Sequence, residues 1–191
     1  MVERMTAKFP QFNEKQFSNF KTIHAMGYAS SSNKKIMKQS DLGTIAKSLG
    51  LEISYMINAE DCGGNKTGDK AITVESLARL RMVSLEQQWK DCRFEDLPYH
   101  TVLRWEKALL DFKKTNNVID FTDLLSNFNG SALNVDYIFI DEAQDLCPLQ
   151  WHVLNRLSAN CQQIYIAGDD DQLIYKWAGA DVEYILNIKA E

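Results

Sequence analysis

Two stretches of this sequence, YIFIDEAQDLCPLQ (137–150) and IYIAGDDDQLIYKWAGAD (164–181), each join a short apolar run to a burst of acidic residues. Three acids follow each run, namely Asp141, Glu142 and Asp145 after the first and Asp169, Asp170 and Asp171 after the second. Pro148 can begin a helix between the two runs. The pattern predicts a strand–helix–strand unit. Because the runs lack polar alternation, it also predicts parallel strands that are buried on both faces.

The acids lie where ligands bind in open α/β sheets, outside the carboxyl ends of the strands. Asp141 directly follows the first strand, and this is the position of a carboxylate that holds Mg²⁺ in nucleotide triphosphatases, because a hard cation prefers oxygen ligands. Glu142 is placed to polarise an attacking water as a general base. An Asp–Glu pair after a strand is common by itself, whereas the two full strings at this spacing are far more specific.

The rest of the chain has the composition of an ordinary globular protein, 45% hydrophobic and 25% charged in 191 residues. Residues 19–26 are predicted to form a strand that ends in a turn at Gly27, and residues 61–70 a loop. Apolar periodicity predicts helices at 40–49, at 73–93, from Pro98 to Lys114 and at 121–128. The middle of the chain, residues 28–118, is therefore expected to be a mostly helical insertion.

Charge is unevenly distributed along the chain. Residues 1–47 contain eight Lys or Arg against three acids, a net of +5, although the whole chain carries −5. A basic segment of this kind can bind phosphate groups, and it can equally be a solvated surface.

Four segments resemble motifs of UvrD/Rep-type superfamily 1 DNA helicases. IDEAQD (140–145) is similar to motif II of that family, and GDDDQLIYKWAGAD (168–181) is similar to motif III. FKTIHAMG (20–27) resembles motif Ib, and IDFTDLL (119–125) resembles a D-F-x-D-L-L segment that precedes motif II. The segments follow the family's order and extend over nearly the whole chain, but motifs II and III alone are specific.

The resemblance implies an α/β fold. Residues 1–27 and 119–191 would form a partial RecA-like P-loop NTPase domain of parallel strands with flanking helices, and residues 28–118 would be its helical inserted subdomain. The resemblance also implies ATP and Mg²⁺ as cofactors, single-stranded and duplex DNA as partners, and 3′ to 5′ movement along DNA. The expected location is the cytoplasm of a bacterial or phage-infected cell, with no membrane partner.

The resemblance also assigns roles to individual residues. For the nucleotide it implies that Asp141 binds Mg²⁺, Glu142 activates water, Gln144 and Asp145 couple the nucleotide to neighbouring motifs, and Gln172 senses the γ-phosphate. For single-stranded DNA it implies contacts from Tyr175, Trp177, Phe121, Thr22 and His24. Phe121 is equally compatible with a place in the core. Ala178 departs from the family pattern, in which many members have Arg after the motif III Trp.

A phosphate-binding P-loop is not found in this sequence. The segment CGGNKTG (62–68) has Asn65 where the glycine before Lys must stand, and no predicted strand leads into it. The resemblance places the P-loop before motif Ib and an arginine finger in a second RecA-like domain after residue 191. We therefore expect an internal piece of a helicase that does not hydrolyse ATP alone. Without the P-loop strand, an unpaired apolar sheet edge is expected.

Two other functions fit parts of the pattern. A non-catalytic module that binds DNA or a partner protein would use the helical insertion and the basic first 47 residues. A metal-dependent nuclease would use the clustered carboxylates, but nuclease chemistry does not need the string QLIYKWAGA.

Overall fold

A computed structural model describes residues 21–31, 35–54, 66–128, 135–159, 161–172, 179–181 and 183–187. These segments form helices and short strands, and four helices follow one another between the first two strands. The helices are α1 (Ile23–Ser30), α2 (Gln39–Ser48), α3 (Thr67–Leu80), α4 (Leu85–Cys92), α5 (Tyr99–Asn116), α6 (Phe121–Ser126), α7 (Pro148–Ser158) and α8 (Glu183–Leu186). The strands are β1 (Lys35–Ile36), β2 (Val118–Ile119), β3 (Tyr137–Ile140) and β4 (Gln163–Ile166), and single 3₁₀ turns lie at Ala143–Asp145 and Asp170–Gln172.

The predicted strand–helix–strand unit is confirmed. Strands β3 and β4 pair in parallel, with Tyr137 opposite Gln163 and Ile140 opposite Ile166. Helix α7 connects them and begins at Pro148, where the missing N–H costs nothing. The backbone N–H of Cys147 is satisfied by Gln150 Oε1 at 2.8 Å. The acids that follow each strand are therefore brought to the same edge of the sheet.

The expectation that this sheet is buried on both faces is wrong. Exposure alternates along both strands. Ile138 and Ile140 pack toward the core that includes α7, whereas Phe139 on the opposite face is 76% exposed and stacks on Tyr165 at 4.8 Å. A continuous apolar run cannot distinguish a sheet that is covered on both faces from one that is covered on one face. Aromatic residues on an open face look the same in sequence as residues under a second layer of helices.

The helices between β1 and β2 have a core of their own. Trp105 of α5 is fully buried among side chains of α2, α3 and the segment before α5, and the indole of Trp89 donates to the Leu97 carbonyl at 2.7 Å. The predicted helix from Pro98 to Lys114 is confirmed as α5, and the predicted helix at 40–49 as α2, after which Gly50 has φ +68°. The two hydrophobic cores of the described residues therefore belong to different parts of the chain.

The single helix predicted over 73–93 is wrong, because two helices cover this range. The chain turns at Met82, whose φ is +56°, and α4 then begins after Ser84, whose hydroxyl accepts from the Gln87 N–H at 3.1 Å. Helix α3 begins at Thr67, inside the stretch 61–70 that was predicted as a loop, and residues 61–65 lie outside the described residues. Gly68 permits this early start, since a Cβ there would lie 2.4 Å from the Glu52 carbonyl oxygen.

The strand predicted at 19–26 is also wrong in the part that is described. Thr22 is the N-cap of α1 and accepts from the Ala25 N–H at 3.2 Å, so the chain is helical from Ile23 onward. Gly27 does not make a turn but lies inside this helix, where a Cβ would approach the Leu124 carbonyl oxygen of α6 to 2.5 Å. The glycine therefore allows α1 and α6 to pack closely.

A second parallel strand pair was not predicted. Lys35 pairs with Val118 and Ile36 with Ile119, joining the residues just before α2 to those just after α5. These two-residue strands have no recognisable period, and 83 positions separate them in sequence. Within the part of the chain that the structure describes, no helix has the length and apolar character needed to cross a membrane.

Candidate nucleotide and DNA sites

The carboxyl ends of β3 and β4 are joined by backbone hydrogen bonds. The Ala167 N–H donates to the Ile140 carbonyl at 2.8 Å, and the Ala143 N–H donates to the Ala167 carbonyl at 3.0 Å. Between them, Glu142 takes a left-handed conformation with φ +53° and ψ +44°. This sharp turn leaves Asp141 and Glu142 exposed at the edge of the sheet while Ala143 is buried beneath them.

Gln144 connects the two acidic stretches. Its side chain, 1% exposed, donates from Nε2 to Glu142 Oε2 at 2.8 Å and accepts at Oε1 from the Asp169 N–H at 3.0 Å. Gly168 makes room for the amide, because a Cβ at that position would lie 2.8 Å from Gln144 Oε1. The amide therefore holds the Glu142 carboxylate at a fixed position relative to the end of β4.

Asp169 continues this connection toward Gln172. Its Oδ2 accepts from Gln172 Nε2 at 2.6 Å, and its Oδ1 accepts from the Asp171 N–H at 3.1 Å. A chain of contacts thus runs from Glu142 through Gln144 and Asp169 to Gln172. Sequence reasoning assigned no individual role to Asp169, although its place three residues after the end of β4 was a usable signal.

Asp145 differs from the other acids of this edge. Burial, and next the negative charge of Glu142, raise the pKa of its carboxyl group. Its Oδ1 is buried, and among the described residues it has no hydrogen-bond partner. A buried oxygen of this kind favours a cation or a hydrogen-bond donor. Around these acids, as elsewhere in the described segments, no three His, Cys, Asp or Glu side chains are grouped to hold a metal ion.

Three of the predicted DNA-contact residues lie at the amino ends of α1 and α6. The rings of His24 and Phe121 meet edge to face with centroids 6.0 Å apart, and Phe121 is 62% exposed. Burial lowers the pKa of His24, so the imidazole is neutral at pH 7. Thr22 lies two residues before His24 and uses its hydroxyl oxygen as the N-cap of α1. The exposed Phe121 ring favours a binding role over a core role.

The remaining predicted DNA contacts, Tyr175 and Trp177, lie outside the described residues, as does Ala178. The chain is described again at Gly179, whose φ is +92°. A Cβ at Gly179 would lie 3.5 Å from the Arg81 side chain, so Gly179 lies close to the end of α3.

A cluster of charged residues near Phe121 was also missed from the sequence. Arg79 of α3 and Lys113 of α5 bind the carboxylates of Asp120 and Asp123, which cap α6. The D-x-x-D spacing predicts a capping box, but its cationic partners lie 41 and 7 positions before Asp120 and carry no local signal.

Comparison with known proteins gives a consistent result. A family model described as the UvrD/REP helicase N-terminal domain matches residues 11–191. The chain is similar to a probable DNA helicase II homolog of Mycoplasma capricolum, with 39% identity over 83 residues that make up 38% of this chain and 12% of that protein. It is 29% identical over 130 residues to a probable DNA helicase II homolog of Mycoplasma pneumoniae, covering 61% of this chain and 18% of that protein.

A third relative is the ATP-dependent DNA helicase PcrA of Bacillus subtilis, with 38% identity over 55 residues, 29% of this chain and 7% of that protein. The chain thus spans less than a fifth of the length of each of these relatives. The family model, in contrast, matches all but the first ten residues. The chain belongs to the UvrD/REP helicase family, and the model that matches it describes the N-terminal domain of that family.

Proposed function

We propose that the complete protein carrying this chain is an ATP-dependent DNA helicase or translocase that moves 3′ to 5′ and acts in the cytoplasm of a bacterial or phage-infected cell. This chain would contribute motifs II and III of the hydrolysis site and part of the single-strand DNA surface. The observation that carries the proposal is the Gln144 bridge, which ties Glu142 to the backbone of Asp169. Coupling between motifs II and III requires a direct connection of this kind between their residues.

In this proposal Asp141 holds Mg²⁺ and Glu142 is the general base. Asp141 is exposed at the end of β3, and Mg²⁺ in such sites is bound by one or two carboxylates together with substrate phosphates and waters. The metal would neutralise charge on the transferred phosphoryl group. Glu142 would accept the proton of the attacking water, and the Gln144 amide orients its carboxylate for this step.

Gln144, Asp145, Asp169 and Gln172 would link the nucleotide to the rest of the domain. The Asp169 carboxylate accepts a hydrogen bond from Gln172. A contact between Gln172 and the γ-phosphate would therefore change the position of the Glu142 carboxylate through Asp169 and Gln144. The buried and unpartnered Oδ1 of Asp145 suits a donor from a neighbouring motif. These residues fit an ATP and Mg²⁺ site to which other parts of the protein contribute.

Single-stranded DNA would pass over the exposed ring of Phe121, with His24 and Thr22 beside it. An exposed aromatic face can stack on any base, and a neutral imidazole can donate to a phosphate or a sugar. Tyr175 and Trp177 would continue this platform. Duplex DNA would be bound ahead of the single strand.

The fold belongs to the same proposal. Residues 1–27 and 119–191 would form a partial RecA-like domain, with 28–118 as its helical subdomain. A P-loop segment and a second RecA-like domain with an arginine finger would complete the site. We therefore expect that the 191-residue chain alone does not hydrolyse ATP. Phosphate release by the purified chain that DNA stimulates and Glu142→Gln abolishes would contradict this expectation.

The division of roles is tested in the complete protein. Glu142→Gln should leave Mg-ATP bound and slow hydrolysis by about 10²–10⁴, the usual contribution of a positioned base. Asp141→Ala should weaken metal-dependent nucleotide binding itself. Asp136→Asn is the control, because Asp136 lies just before β3, at the end of the strand opposite to Asp141, and accepts a hydrogen bond from Gln162. Equal failure of the first two variants in binding and hydrolysis would refute the assignment.

The DNA contacts are tested by titrating an oligonucleotide at several salt concentrations. Trp177→Ala should cost about 1–3 kcal/mol of single-strand affinity. Lys21→Ala should instead reduce the slope of affinity against salt concentration, because DNA binding releases fewer counterions when one phosphate contact is missing. A lower melting temperature with unchanged DNA affinity would place Trp177 in the core.

The alternative is a non-catalytic module that binds DNA or a partner protein. The separate hydrophobic core of the helical part is the observation that favours it, since such a unit can bind without a nucleotide. Measuring ATP affinity beside single-strand affinity in the complete protein separates the two. Tight DNA binding without Mg-ATP binding would support the alternative.

A further inference from the structure

Five charged side chains meet where the helical part joins α6. Arg79 forms a two-pronged contact with Asp120, from Nη1 to Oδ2 at 2.7 Å and from Nη2 to Oδ1 at 3.0 Å, and Nη2 also reaches Asp123 Oδ1 at 2.6 Å. Lys113 Nζ contacts Asp120 Oδ2 and lies 2.9 Å from Asp123 Oδ2. Glu75 completes the cluster at 3.3 Å from Arg79 Nη1. We call this the Arg79–Lys113 cluster.

The cluster is partly withdrawn from solvent: Glu75 is 6% and Lys113 9% exposed, and the side chains of Arg79, Asp120 and Asp123 are 20–25% exposed. Burial alone raises the pKa of Asp120, but the hydrogen bonds and charges of Arg79 and Lys113 outweigh it and hold that pKa far below its usual value. Buried charges are tolerated where every partner is in place, and loss of one partner leaves the others unpaired. The relative positions of α3, α5 and Asp120 are therefore tightly fixed.

Two of the three carboxylates of the cluster, those of Asp120 and Asp123, also cap α6. Asp120 Oδ1 accepts from the Asp123 N–H at 2.8 Å, and Asp123 Oδ2 accepts from the Asp120 N–H at 3.0 Å. Phe121 is the first residue of the helix and lies between the two caps in sequence. The exposed Phe121 ring has little packing to hold it, so the backbone of this first turn determines where the ring lies.

We propose that Arg79 and Lys113 are positioning residues for Phe121, holding its ring beside His24 at the single-strand DNA surface from the side of the helical subdomain. The inference rests on the proposed contact between Phe121 and DNA. Neither Arg79 nor Lys113 contacts the DNA itself in this proposal. The helical subdomain thereby influences DNA binding through the first turn of α6.

The test uses the complete protein and a fluorescent oligothymidine, with a melting curve for each variant. Phe121→Ala should weaken binding about 5- to 150-fold, the range for one stacked base. Arg79→Lys keeps the charge but loses the two-pronged contact, and it should weaken binding about 2- to 30-fold, as for residues that act through a network. Adding Arg79→Lys to Phe121→Ala should cause no further loss, since the group being positioned is already gone.

Two controls separate positioning from direct contact and from unfolding. Arg104→Lys, which lies in α5 outside the cluster and donates to the Leu49 carbonyl, should leave affinity unchanged. Arg79→Lys should leave the dependence of affinity on salt unchanged, because no phosphate contact is lost. If Arg79→Lys melts below the assay temperature, Lys113→Arg takes its place in the same cycle.

The outcomes are distinguishable. Unchanged affinity in Phe121→Ala refutes the proposed DNA contact and the positioning role with it. Weaker binding in Phe121→Ala with wild-type affinity in folded Arg79→Lys refutes the positioning role alone. Independent, multiplicative losses in the double variant, or a shallower salt dependence in Arg79→Lys, show that Arg79 acts elsewhere and also refute it.

Discussion

Replacing Gln144 by Leu tests the connection between the two acidic stretches most directly. Leucine fills a similar volume but can neither donate to Glu142 nor accept from the Asp169 N–H. The change therefore removes both contacts without opening a large cavity. Stability and catalysis should respond separately, and each has a magnitude that follows from the structure.

The two lost hydrogen bonds set the effect on stability. A bond to a charged group contributes about 1.5–3 kcal/mol, and a neutral one about 0.5–1.5 kcal/mol. Glu142 and Asp169 are both exposed, so water can replace part of what is lost. We expect the free energy of unfolding to fall by about 1–3 kcal/mol, or about 2–4 °C in melting temperature for each kcal/mol.

Urea titration of the 191-residue chain measures the first effect, and ATP hydrolysis by the complete protein measures the second. Freeing the Glu142 carboxylate should lower kcat by up to about 10²-fold, the cost of a small misplacement of a reacting group. Gln88→Leu is the matched control, because Gln88 is also buried and bonded, to Arg81 and Cys92. It should lower stability and leave kcat unchanged. Wild-type stability and kcat in Gln144→Leu would refute the bridge.

Three further predictions concern the fold. Gly27→Ala should lower the free energy of unfolding, measured by urea titration, by about 1–3 kcal/mol, because its Cβ would meet the Leu124 carbonyl oxygen. Gly43→Ala, which has open space around it in α2, should raise the free energy of unfolding by about 0.5–1 kcal/mol. Equal effects of the two changes would contradict the close contact between α1 and α6. Phe139→Ser should reduce self-association in sedimentation velocity without changing the monomer's circular dichroism, since this ring lies on an exposed apolar sheet face. Because the folded pKa of Asp120 is depressed, its stabilising contribution is present above its unfolded pKa of about 3.9 and is lost as the pH falls toward the lower folded value. Asp120→Asn should therefore flatten the dependence of stability on pH below about 4, and an unchanged dependence would show that the acid is not paired.

The features that sequence could predict are local ones. Strand β3, Pro148 and helix α7 follow one another within about twenty residues, and each carries its own signal. The end of α3 was missed even though a signal was present: Ser84 with Gln87 three positions later forms an S-x-x-Q pattern typical of a helix start. The amphipathic period on both sides of Met82 hid that break.

Other features depend on residues that are distant in sequence. The pairing of Lys35 with Val118 and of Arg79 with Asp120 is fixed by how the helices pack, and no short window contains both partners. The candidate nucleotide residues were identified from the position of Asp141 and Glu142 after a predicted strand and from the resemblance to motifs II and III. Their connection through Asp169 required the positions of both strand ends.

The left-handed backbone of Glu142 places folding and chemistry in conflict. A non-glycine residue in this conformation costs about 1–3 kcal/mol, and a glycine would relieve it. Glycine, however, has no carboxylate to serve as a base. Selection or design for stability alone is thus expected to replace Glu142 early. The resulting protein would be more stable but would lack the proposed general base.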